Sequence, residues 1–439
     1  MFPDELNRWV LTVLPAVNRE ILAGREPPEL LAARLAGGVL AELPAPERIE
    51  PEVARRLTTL LGLIGASVAR HFQEHDVTRK ERPADAFAEL RVGPEDTPFL
   101  SYFPRLAAAT GAEHPDRDCY ASLVRWNAPT VEIRLGESVL AVLPGVFGDG
   151  RVRSYTGDAG EEGFFALLKD SEALELAAND AVQPMADGAV DVVSGEALDR
   201  VAHATLLLAA LRQLNMDYAN RPVSAGGLRP DHFMDVFRQF AVHWTPGDVP
   251  PSGAQDPEFI RRDFLLGVAW PGYPEHLRRI DPALLAAERV ELWGQLDADS
   301  LPTLLLRRLG LSSDRLEEAS ADELRDLVSR YPALASWYFL LATNARYAST
   351  HLLLAERFLF RPQRQRDADG RGDRELVSNR RGTTGMDRPL LRQLADARRG
   401  HMLATLARVP ASELARLAGL PPVARLTDAD VADIVHKGA

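Results

Sequence analysis

The sequence predicts a mostly α-helical fold. Three observations carry this: apolar residues recur at three- and four-residue steps over long stretches, alternating strand patterns are scarce, and no β-α-β rhythm appears. In chain order the periodic stretches are residues 27–43, 52–72, 198–214, 302–310, 323–349 and 389–409. "TVEIRLGESVLAVLPGVF" (130–147) has room for a short hairpin. Residues 76–120 are broken by Pro, Gly and Asp and read as loops. "MADGAVDVVSGEALD" (185–199) reads as a connection into a long helix, and "RPVSAGGLRPDHF" (221–233) as a turn-rich start of another. Residues 361–385 are charged, poor in apolar side chains, and expected to be mobile.

A length of 439 residues suggests two or three domains, or one large helical domain with an appendage. The formal charge of -12 argues against nucleic acid and anionic membrane as partners. A single cysteine, Cys119, excludes an intramolecular disulfide, a Cys-x-x-Cys redox pair, a zinc ribbon and a thioether haem attachment. The opening "MFPDELNRWV" is not expected to be a signal peptide, no window approaches the ~20 apolar residues of a membrane helix, and a cytoplasmic location is expected.

Several familiar catalytic motifs are absent, among them His-Glu-x-x-His, the phosphate-binding Gly-x-x-x-x-Gly-Lys loop and Gly-x-Ser-x-Gly. "DADGRGDRE" (367–375) imitates a calcium loop but places Arg371 where a ligand should stand, so it reads as a solvated loop. The chemistry-bearing stretch is "ARYASTHLLLAERFLF" (345–360), with one histidine, His351, in an apolar helix. Its helical face carries Tyr347, Ala348, Leu354, Ala355 and Phe358. Small residues beside the imidazole leave a flat clearing with aromatic borders, where a histidine can ligate the metal of a planar macrocycle. A hydrogen-bonded core histidine is the other reading.

Three more stretches supply candidate surfaces. In "DHFMDVFRQFAVHW" (231–244), Phe233, Phe237 and Phe240 form a stripe, and Arg238 either clamps a carboxylate or is a surface charge. His232 is expected at the helix start and solvated. "PPSGAQDPEF" (250–259) places the small residues Ser252, Gly253 and Ala254 before an N-cap pair, Asp256–Pro257. "RRGTTGMDRPLLRQL" (380–394) brackets Thr383 and Thr384 with Gly382 and Gly385, a loop whose N–H and hydroxyl groups can approach a ligand, or a plain helix start.

Taken in order, "LVRWN" (123–127), "RSYTG" with "EEGFFALL" (153–168), "FMDVFRQF", "SGAQ", "STHLLLAERFLF" and "GTTG" resemble the haem-dependent indoleamine 2,3-dioxygenase superfamily, and within it the monodechloroaminopyrrolnitrin synthase-like branch. The resemblance spans roughly residues 120–405. It implies an all-α protein with a smaller N-terminal helical domain and linker (1–150), a large helical haem domain (151–415) with a mobile loop (361–381), and a C-terminal tail (416–439). It further implies haem b ligated by His351 and bordered by Ser252, Gly253, Ala254, Tyr347, Ala355 and Phe358. Phe164 and Phe233 would stack on the substrate and Arg238 would hold its carboxylate. Gly382, Thr383, Thr384 and Gly385 would close over its amino-acid part. Leu168 stands where the dioxygenases often carry a distal serine, and the loop reads Gly-Thr-Thr-Gly, not Gly-Thr-Gly-Gly. Both departures favour the synthase-like side over plain tryptophan dioxygenation. The implied function is oxidation or rearrangement of a tryptophan-like amino acid by oxygen or peroxide in specialised metabolism. A haem carrier or sensor of the same fold, or a cofactor-free helical interaction protein, are the alternatives.

Overall fold

The computed structural model describes residues 2–36, 38–74, 77–370, 388–421 and 426–438. Helices dominate, with two small antiparallel sheets. Near the N-terminus, α1 (Phe2–Leu22) packs on α2 (Pro51–Glu74). Helix α2 is buried on nearly every side between Leu57 and His71, as a central helix with apolar residues all round should be. Its Gly65 lies under the Trp244 indole: a Cβ there would stand 2.5 Å from Cζ2, so only glycine allows this approach.

The stretch 76–120, expected to be loops, contains a helix, α3 (Phe99–Ala109). Pro104 inside it hides the periodicity, yet Phe99, Tyr102, Phe103 and Leu106 all turn into the core. The expected hairpin is present. β1 (Val131–Leu135) pairs antiparallel with β2 (Ser138–Leu143), and Gly136 takes φ 59° at the turn. A C-terminal strand, β3 (Val435–Lys437), pairs with the other edge of β1, tying the chain end to residues 131–133.

The main helical layer is α4 (Ala159–Ala186), α5 (Gly195–Asn220) and α8 (Ala333–Ala355), with α5 packed between the other two. Side chains of Asp158 and Ser194 cap α4 and α5 by accepting from Gly160 and Ala197 amides. The periodic stretch 323–349 is two helices, because Pro332 forces the residue before it out of the helical region and α8 starts only after it.

Two expectations fail around the site. Residues 231–244 do not form one helix: α6 (Pro230–Asp235) stops at Val236 (φ -121°, ψ -71°), and Phe237–Phe240 make a separate 3₁₀ turn. The Arg70 guanidinium of α2 donates to Val236 O at 2.6 Å, and Gln239 Nε2 donates to Met234 O at 2.7 Å. These side chains satisfy carbonyls that a continued helix would have used. The segment expected to be a mobile loop begins with helix α9 (Arg361–Ala368), whose buried Arg366 pairs with Asp235. The rest of that expected loop, from residue 371, lies outside the described residues, as do Gly382, Thr383, Thr384 and Gly385.

Two large apolar cores result. One joins α4, α5, α8 and the hairpin. The other fills the space between α1, α2 and α3 and continues into Tyr155, Phe165, Phe237, Phe240 and Phe358. No helix among the described residues is long and apolar enough to cross a membrane.

Candidate functional site: an aromatic pocket beside His351

The second core opens into a cavity of about 170 Å³, a size that takes a small aromatic molecule. Helix α4 contributes Phe164, Phe165 and Leu168, the first and last one turn apart on a single face. The turn after α6 contributes Phe233, Phe237 and Arg238, and the loop before α7 (Pro257–Leu265) contributes Pro251, Ser252 and Gly253. The wall is completed by Tyr120, Leu123, Val124, Tyr155 and Ala241. The rings interlock: Phe164 lies 5.4 Å from Phe233 and 5.5 Å from Phe237, edge to face in the second case, and Phe165 meets Phe237 at 5.2 Å. A larger cleft of about 670 Å³ between α5 and α8 is lined by Arg212, Gln213, Asp217 and Arg346 and holds none of the expected site residues.

Six of the eleven sequence-derived candidates among the described residues meet in one place. Phe164, Leu168, Phe233, Arg238, Ser252 and Gly253 all line the cavity. Ala254 does not. Its amide donates to Ser252 Oγ in a capping box that Gln255 Oε1 completes by accepting from Ser252 N. A Cβ built on Gly253 would meet only Leu168 Cδ2, at 3.7 Å, so the loop leaves open room on that side.

His232, expected to be solvated, is buried, and its Nε2 lies 2.8 Å from Glu161 Oε1. Glu161 also accepts from Thr156 N and Oγ1. This knot pins α6 to the first turn of α4, and so sets Phe233 against Phe164. The signal was the acidic doublet Glu161–Glu162, of which only the first is fully buried.

His351 sits on α8 with Phe259 at 5.8 Å and Tyr347 at 6.4 Å, ring centre to ring centre. His351 is half-buried, and neither of its ring nitrogens hydrogen-bonds to a described residue. Burial first, then the Arg398 and Arg262 cations, push its pKa down to about 4, so the imidazole is neutral at neutral pH. Along the same helical face Leu354 and Ala355 are half-buried. Within a π-turn at Glu356–Phe360, Phe358 reaches Phe233 at 5.8 Å and Tyr218 at 6.1 Å. The His351 face and the aromatic pocket are thus joined through Phe358. Tyr347 is buried behind, under the Arg262 guanidinium at 5.0 Å.

An ionic frame, invisible in the motif reading, holds this region. Phe259 carries two guanidinium groups, Arg398 at 4.5 Å and Arg262 at 4.8 Å. Arg262 pairs with Glu175 of α4, and Arg398 of α10 (Arg388–Arg399) pairs with Asp263, which also accepts from Tyr273. Asp256 caps α7 through Glu258 N and Phe259 N, as expected, and accepts from Tyr120 Oη at 3.1 Å.

Glu258, beside this frame, has its carboxyl pushed up to about 7 by burial, against the pull of Arg261 and Asn179. Its bound proton therefore stabilises the fold below the ordinary carboxylate range, and that contribution is lost as pH rises through about 7. Glu258→Gln, a mimic of the protonated form, should gain stability relative to the wild type between pH 5 and pH 8. Urea midpoints at the two pH values check this; a constant difference between the proteins would refute it.

No cluster of three or more His, Cys, Asp or Glu side chains able to hold a metal ion occurs among the described residues. A porphyrin brings four ligands of its own and asks for one from the chain, so holding one needs no such cluster; burial pushes His114, His276 and His401 down to about 4 as it does His351. Compared with known proteins, the chain matches no family model and no curated protein.

Proposed function

We propose that this protein is a haem b-dependent oxidoreductase that oxidises or rearranges a tryptophan-like amino acid, with oxygen or peroxide as co-reactant. The observation that carries the reading is convergence: six residues picked from three separate stretches line one cavity, and one of them, Phe233, meets Phe358 in the turn that follows the helix of a neutral histidine with no hydrogen bond to a described residue. His351 would be the iron ligand, and Ser252, Gly253, Ala355 and Phe358 would border the macrocycle. Haem supplies the redox and oxygen-activating chemistry when bound.

The chain's own residues do the rest. Phe164, Phe233 and Phe237 hold an aromatic ring by stacking and edge contacts, and their apolar wall keeps water out of the chamber. Leu168 presents a methyl group where the dioxygenases often carry a serine hydroxyl, so no proton moves through that position. Arg238, buried at 8% exposure on the wall of a mainly aromatic and aliphatic cavity, orients a carboxylate.

Replacing Arg238 with alanine should weaken binding of a carboxylated substrate by roughly 10- to 150-fold, the worth of one charged hydrogen-bonded contact, and leave haem content unchanged. Titrations of tryptophan and of decarboxylated tryptamine separate the roles: equal losses for both ligands would remove Arg238 from carboxylate recognition. The function itself is tested by the absorption spectrum of the purified protein and by consumption of oxygen or peroxide with tryptophan. A protein that takes up no haem overturns the reading.

A further inference from the structure

The pocket has four polar side chains on its wall, and three are already engaged. Ser252 Oγ accepts from Ala254 N, Tyr120 Oη donates to Asp256 Oδ2, and Arg238 has Met234 Sδ at 4.0 Å among its contacts. Tyr155 differs. It is 3% exposed and its hydroxyl makes no hydrogen bond to any described residue, yet the oxygen is not one of the fully buried unpartnered atoms, so it keeps a small accessible surface.

The phenol is also fixed in place. Its ring stacks on Phe240 at 4.1 Å and 2°, with Phe237 at 6.1 Å and Phe165 at 6.3 Å. Its backbone carbonyl accepts from Asn18 Nδ2 at 2.8 Å. A hydroxyl on a rigid ring cannot swing away from the surface it faces, and one with accessible surface but no protein partner is free to donate or accept there. An unengaged hydroxyl on the wall of an aromatic cavity is therefore set up for a partner inside it.

We propose that Tyr155 selects the ring of the pocket's occupant by hydrogen bonding to a polar ring atom, an N–H or an O–H, of an aromatic ligand. This rests on the aromatic-pocket reading above and adds to it a contact at the ring, separate from the carboxylate contact of Arg238. A purely apolar ring would leave the hydroxyl unpaired and bind less well than its shape alone allows.

The test uses matched probes on the full-length protein as purified, with whatever haem it holds: indole against indene for a ring N–H, and phenol against toluene for a ring O–H. Affinities are measured by calorimetry for the wild type and for Tyr155→Phe, which keeps the stack on Phe240. For at least one pair, the wild type should favour the polar probe over its apolar partner by a ratio about tenfold larger than the variant does. Unchanged ratios for both pairs would overturn the role of Tyr155 while leaving the pocket in place. That outcome includes equal losses for all probes, as expected if the hydroxyl only bridges through water to the buried Asp118 Oδ2, which also lacks a partner. Failure of every probe to bind the wild type would instead remove the aromatic pocket, and this proposal with it.

Discussion

His351→Ala should purify without a Soret band, and added haem should not restore one, whereas free imidazole should recover part of it by filling the space the side chain leaves. On the proposed haem reading the effect is all-or-none, because a single protein atom would anchor the iron and an alanine methyl cannot replace a nitrogen lone pair. The wild-type imidazole is suited to the task by its surroundings. With a pKa pushed down to about 4, it needs no deprotonation before it ligates. Neither nitrogen is committed to a hydrogen bond among the described residues. Full haem loading of the alanine variant would sink the assignment of His351. A circular-dichroism spectrum matching the wild type would show that a colourless variant is still folded.

The second large effect is expected at Arg398. Its guanidinium grips Asp263 through Nε at 3.0 Å and Nη2 at 2.5 Å, and both side chains are almost wholly buried. Arg398→Met removes the cation and leaves a carboxylate inside the protein with the Tyr273 hydroxyl as its remaining contact from this set. Losing one member of a buried pair costs about 3–5 kcal/mol, since the other charge is left uncompensated. The double variant Arg398→Met/Asp263→Asn should recover much of that loss, because it removes the stranded charge as well. Urea unfolding of the two single variants and the double variant measures the coupling directly. A single-variant loss under ~1 kcal/mol would place this pair with ordinary surface ion pairs.

Legibility from sequence followed the physics of each element. The long helices were readable because burial on one or more faces writes a 3.6-residue period, and the hairpin because Gly136 supplies a turn geometry other residues resist. Helix α3 was not readable, because Pro104 is a breaker by rule and a tolerated kink in this packing. The turn at Val236–Phe240 was hidden for another reason. It depends on Arg70, far away in sequence, capping the carbonyl that ends α6.

Within the site, the residues that carry unusual composition were found: the Phe164–Phe165 doublet, the Ser252–Gly253 loop and Arg238. Tyr120, Leu123, Val124 and Tyr155 were missed as wall residues, since no local pattern distinguishes a pocket wall from core. Arg262 and Arg398 were missed as a frame because each looks like a surface charge until its partner, on another helix, is known. His232 was misread as solvated for the same reason; Glu161, its partner, lies 71 positions away.

The Arg70 contact has a thermodynamic consequence. One guanidinium spans 166 positions to hold the end of α6, and it lies 4.3 Å from the Phe240 ring centre, on which Tyr155 stacks. Seating of the N-terminal helices and shape of the chamber are therefore linked equilibria. An occupant that binds one seating of α2 better than another would shift that seating, and α2 would shift the occupant's affinity by the same factor.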